Sequence, residues 1–220
     1  MALRLLPFRQ YDEKDVVNGY YLNFGSHRDS LENPDVDGPC SNGVLVHVDG
    51  GNLNEDVISY VDNDSNDHTP AKSYGSPIGR NDYPYNPKSI RAVDNAAGEN
   101  VLGITLNQTL KYDENGEPLQ YRAQKRDELQ AVLPLRPVPV ATKGLFMFNS
   151  NAFYTGDSFS IGTSLMAANN ATRAGKFQNW DTAFPTFLRG AKIGTILATG
   201  SRSSDDAYAG NYYLVKLDCT

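Results

Sequence analysis

Residues 44–48, VLVHV, alternate cleanly, with Val44, Val46 and Val48 on one side of an extended chain and Leu45 and His47 on the other. A period of two is the mark of a half-buried strand. The same grammar runs through residues 89–106, where two short apolar runs flank the turn formers Asp94, Asn95, Ala96, Ala97 and Gly98, and Gly103 stands in the middle of the second run. It predicts a strand, a turn and a strand. The pattern returns at 145–148, 159–165, 192–199 and 212–218, the last with Tyr213, Val215 and Leu217 on one face and Tyr212, Leu214 and Lys216 on the other. Residues 16–22 and 56–60 are further strand-like runs, and Asp49-Gly50-Gly51-Asn52 and Asp113-Glu114-Asn115-Gly116 read as turns.

Only residues 121–132 have good helix formers, and their apolar positions form no stripe. The prolines of LPLRPVPV at 133–140 then set edge-strand or polyproline geometry. The fold class that follows is mainly β: a small β-barrel or β-sandwich with an extended N-terminal arm and long irregular loops, and at most one or two short helices. Residues 1–24 make the arm and first strand, 25–88 a loop-rich region with one or two strands, and 89–220 the β-barrel domain.

Two segments depart from this pattern. Leu3, Leu5, Leu6 and Phe8 are too apolar for water, yet Pro7 forbids a continuous central strand. Such an arm either folds back on its own barrel or lies on a neighbouring molecule, where an added strand gains main-chain hydrogen bonds and side-chain pockets. Residues 62–88 lose periodicity altogether and carry Tyr74, Tyr83 and Tyr85 among prolines. A loop of that length is commonly functional or ordered by a partner. The candidate contact residues are therefore Leu3, Leu5, Leu6, Pro7, Phe8, Arg9, Tyr11, Tyr74, Tyr83 and Tyr85.

Composition supports many short strands rather than long helices, with 19 Gly, 12 Pro and 13 Tyr in 220 residues. A net charge of −6 argues against nucleic acid as a partner, because phosphate binding needs a basic face. No apolar run approaches the roughly 20 residues of a membrane span. The first ten residues are charged too soon for a secretory signal, so Cys40 and Cys219 are expected as free thiols made in a reducing cytosol.

Catalytic and cofactor patterns fail one by one. Ser76 and Ser201 lack the flanking glycines of a nucleophile elbow, and neither a Walker loop nor G-x-G-x-x-G occurs. His27, His47 and His68 stand 20 and 21 residues apart with no metal-ligand spacing. The run Asp62, Asp64, Asn66 imitates the start of a calcium loop, but Asp67 takes the glycine place and Ser73 that of the bidentate Glu. Asp12, Glu13, Asp15, Asp205 and Asp206 read as solvated loop carboxylates rather than a glycosidase pair. The expectation is a non-enzymatic chain with no cofactor, no metal and no catalytic residue. Trp180, beside Phe177, Phe184 and Phe187, could anchor a sugar, although aromatics more often serve cores or interfaces.

The order of these elements resembles the capsid decoration (cement) proteins of tailed bacteriophages. The resemblance is carried by DNAAGENVLGITL, the DENGEP turn, VPVATKGLFMF, GDSFSIGTSL, AGKF, KIGTILATG and NYYLVKLD, together with LPFRQYDEKDVVNGYYL near the start. It covers residues 89–218 and the first two dozen; 25–88 have no counterpart. It implies a β-barrel or tulip-like domain, often trimeric, on the outer face of a virion capsid, synthesised in the host cytoplasm and contacting several major capsid protein subunits. A carbohydrate-binding β module of a fibre or tail is the alternative expectation.

Overall fold

The computed structural model describes residues 4–22, 40–52, 88–134, 136–170, 173–181, 189–206 and 208–219, and it is mainly β. The predicted strand at 56–60, the loop at 62–88 with its acidic run, and His27, His68, Phe184 and Phe187 lie outside these residues. Two six-stranded sheets face each other over one core.

The first sheet is built from β1 (Leu5–Gln10), β10 (Lys143–Asn149), β11 (Ser164–Ala167), β12 (Phe177–Asn179), β13 (Gly194–Arg202) and β14 (Gly210–Asp218), in the order β1-β10-β14-β13-β11-β12. All its pairings are antiparallel. The second contains β2 (Val16–Val17), β3 (Tyr20–Leu22), β4 (Leu45–Asn52), β5 (Lys88–Ala92), β6 (Val101–Thr105) and β9 (Val140–Ala141), ordered β2-β9-β6-β4-β5-β3. β7 (Gln108–Thr109) and β8 (Ala131–Val132) form a small parallel pair beside a short helix, α1 (Ala123–Glu128). Because β1 enters the first sheet and β2, β3 and β4 the second, no boundary near residue 89 separates one sheet from the other.

The predicted periodicity sorts side chains between layers. Phe146, Phe148, Val215 and Leu217 point into the sandwich and meet Leu45, Ile104 and Ala141 of the second sheet. Phe148 packs edge-on against Phe177 at 4.9 Å, and Phe153 lies 4.4 Å from Tyr213 between ring centres. Each fully buried aromatic contributes about 1.5–3 kcal/mol through the apolar area it removes from water. The second sheet is covered on its other face as well, where Val44, Val46, Ile90, Ala92, Val138 and Val140 form a second cluster with Leu22 and Cys40. Burial on both faces explains the apolar run Val44, Leu45 and Val46, whereas Val48 is 42% exposed.

Several elements differ from the sequence expectation. The strand at 44–48 continues through Gly50 and Gly51 to Asn52, with an irregular register after Val48, rather than turning. Residues 159–163 are not extended; Ser160 N–H donates to Thr163 Oγ1 and closes a local turn, so the strand starts only at Ser164. The strands on either side of the 94–99 turn do not pair with each other. β5 and β6 each bond to β4, which lies between them. Gly103 is required there, since a Cβ would fall on the carbonyl oxygen of Ala141 in β9.

Candidate functional site

The N-terminal strand folds back on its own sheet. Leu5 pairs with Phe148, and Arg9 and Gln10 pair with Phe146 and Leu145, with a bulge between Leu5 and Arg9 that absorbs Pro7. Leu5 and Leu6 are each 1% exposed, and Leu5 N–H donates to Asn42 Oδ1 at 3.2 Å. These two candidate contact residues therefore belong to the interior. Pro7, Phe8 and Tyr11 face solvent instead, Phe8 at 46% and Tyr11 at 42% exposure. Arg9 is half-buried and ties the strand down, donating to Leu106 O at 3.3 Å and Gln130 Oε1 at 3.0 Å. Burial lowers its pKa, and the nearby Tyr11 opposes that shift. Leu3, Tyr74, Tyr83 and Tyr85 lie outside the described residues.

Tyr11 opens onto a groove of about 760 Å³ between the chain after β1 and the surface of the first sheet. Its apolar lining includes Tyr11, Leu145 and Leu197; Asp12, Glu13 and Asp15 supply negative charge and Lys143 and Lys216 positive charge. Local sequence explains each wall. Asp15 N–H returns to Asp12 O and closes a 3-10 turn at Glu13–Asp15, which presents the carboxylates. The Asp15 carbonyl accepts from both Thr142 N–H and Thr142 Oγ1, at 2.8 and 3.1 Å, and fastens that turn to the sheet. Gly144 has a φ of 147°, and a Cβ there would press on Gln10 O and on Tyr11 Cβ, at 2.8 and 2.9 Å, so only glycine lets Tyr11 settle over the strand.

The floor depends on an irregularity. Ile196 pairs with Val215 and Ala198 with Leu214, so the intervening Leu197 is the extra residue of a bulge and points to solvent, 45% exposed. Charge on the rim is partly compensated: Lys14 pairs with Asp12 at 3.0 Å and Lys143 with Asp218 at 3.1 Å. The hydrogen bond from Lys14 holds the Asp12 carboxyl below its ordinary range. Glu13 and Lys216 have no salt-bridge partner among the described residues. An apolar floor between opposite charges can seat a protein segment and fix its direction.

The other sequence candidates serve structure. His47 Nε2 lies 3.4 Å from Glu99 Oε1, while Glu99 Oε2 accepts the N–H groups of Asp94 and Asn95 and so holds the 94–99 turn against β4. Asp206 pairs with Arg202 at 3.5 Å within a turn. Cys40 and Cys219 are not joined in a disulfide, and burial pushes each thiol up to about 12. Among the described residues no group of three His, Cys, Asp or Glu side chains could hold a metal. Trp180 is half-buried, donates Nε1–H to Gly190 O at 3.1 Å, and carries Lys192 and Arg189 over its ring, at 4.1 and 4.6 Å.

Sequence reasoning reached Phe8 and Tyr11 but not Leu197, Gly144 or Lys216. The adjacent apolar pair Ile196-Leu197, which breaks the period of two inside a strand, was the available signal. Comparison with protein-family models, with curated proteins and with solved structures finds no significant match to this chain.

Proposed function

We propose that this chain is a non-enzymatic structural protein that binds the outer surface of a phage capsid and cements the lattice of its major capsid protein. The observation that carries the reading is the open groove under Tyr11, with an exposed apolar floor and opposed charges on its rim. Exposed Phe8 extends that footprint along the edge of the sheet. Aromatic anchors ringed by polar groups are what interface hot spots are made of. The resemblance of the sequence to capsid decoration proteins supports the choice of partner.

In this reading the chain resides on the virion exterior after synthesis in the host cytoplasm, acts as a homotrimer, and uses neither nucleic acid nor membrane. Each contact is modest, and repetition over a lattice supplies avidity. Trp180 favours a protein partner over the sugar alternative, because two cations already lie over its ring. Co-sedimentation of the purified chain with empty capsid shells tests the proposal. Retention with the shells supports it, and a chain left wholly in the supernatant overturns it.

A further inference from the structure

Trp180, Arg189 and Lys192 form a second surface feature that the groove does not use. Lys192 Nζ lies 4.1 Å and the Arg189 guanidinium 4.6 Å from the centre of the indole ring, so two positive charges contact the same ring. Indole Nε1–H is fixed by Gly190 O, which holds the ring in this orientation. Among the described residues neither cation has a carboxylate within ion-pair reach, whereas Arg91, Lys125, Lys143 and Arg202 each have one. Asp181, next to Trp180, is exposed, donates its N–H to Asn179 Oδ1 and pairs with neither. Arg189 Nε is buried and donates to no acceptor among the described residues. Among the described residues, a cluster with two cations without a carboxylate partner and an idle buried donor is incomplete as it stands.

We infer that Arg189 and Lys192, gathered on Trp180, form a binding site for a carboxylate group of an acidic peptide segment. The guanidinium presents its donors in a planar fork that matches two carboxylate oxygens, and the ammonium adds a point charge on the same ring. The indole face holds both cations in place before the ligand arrives, which lowers the ordering cost of binding. The chain as a whole carries −6, so the two cations form a local positive spot that attracts an acidic side chain against the general field. The inference stands independently of the capsid proposal.

The chain contains a single tryptophan, so its fluorescence reports on this site alone. The probe is a hexaglutamate peptide titrated into the full chain, with sodium chloride at matched ionic strength as blank and inorganic phosphate as a second arm. The expected result is a saturable change in Trp180 emission with hexaglutamate. Its affinity falls about tenfold or more in Arg189→Gln/Lys192→Gln and falls less in Arg189→Lys, which keeps the charge but loses the fork, tenfold being the scale of one lost charge-assisted contact. Circular dichroism establishes that both variants are folded. No saturable change, equal affinity in the glutamine variant, or tighter binding of phosphate than of hexaglutamate would each overturn the assignment.

Discussion

Tyr11 stacks on Phe146 with ring centres 5.7 Å apart and planes inclined by 21°, so one exposed ring at the groove rests on one fully buried ring of the core. The two halves of that pair have separate consequences. Tyr11→Ala loses one aromatic contact and costs about 0.5–1.5 kcal/mol. Phe146→Ala opens a cavity between the sheets and costs about 3–5 kcal/mol. Urea denaturation of both variants measures the difference; equal losses would mean that Tyr11 is a core residue and not a surface anchor.

Leu5 is the test of where the N-terminal strand belongs. It sits opposite Phe148 in the first sheet at 1% exposure, so Leu5→Ala is expected to cost about 2–5 kcal/mol. Removing residues 2–11 takes Leu5, Leu6 and the whole of β1 away and should prevent cooperative folding. A truncated chain that melted like the full one would return the strand to the status of a detachable arm.

Gly103 and Ala141 meet backbone to backbone. Gly103→Ala drives a methyl group onto the Ala141 carbonyl oxygen, and rigid main chain on both sides leaves it no room. The expected cost is about 1–3 kcal/mol, as for other overpacked sites. Thermal melts of this variant beside Gly116→Ala, a position with open space but a φ of 79°, separate steric clash from backbone strain. A Gly103→Ala chain as stable as the parent would refute the close approach.

Asp113 predicts a pH dependence. Its Oδ1 accepts the N–H groups of Glu117 and Asn115 at 2.8 and 2.9 Å. The Glu117 bond is the larger cause that holds its carboxyl below the ordinary value. A group depressed in the folded state stabilises it above the unfolded pKa, about 4 for aspartate, and loses that contribution as pH falls through the folded value. Asp113→Asn should therefore melt a few degrees below the parent at neutral pH, with the gap narrowing in acid. A gap that widened towards low pH would reverse the sign and reject the account.

Legibility in the sequence followed the range of the interactions. The alternation at Tyr213, Val215 and Leu217 sorted the two faces of β14, because a period of two is set by the backbone itself, whereas Val48, expected on one face with Val44 and Val46, lies at the register irregularity and is 42% exposed. Asp113 and Gly116 announced their turn for the same local reason. Partnership was not local: nothing between residues 89 and 106 says that β4 inserts between β5 and β6. The groove draws on residues 10–15, 143–145, 197 and 216–217, which only the sheet order brings together. Leu5, Leu6, Phe8 and Tyr11 looked alike in sequence as contact candidates, yet the bulged strand buries Leu5 and Leu6 and leaves Phe8 and Tyr11 exposed.

The groove is the centre of the functional account, and Tyr11→Ala/Leu197→Ala removes its two most exposed apolar side chains. Co-sedimentation of the folded double variant with empty capsid shells, beside the parent chain, measures its part directly. The account predicts that the parent pellets with the shells and that the variant binds about tenfold or more weakly, the loss expected when interface anchors are truncated. Undiminished binding by the folded variant would contradict it.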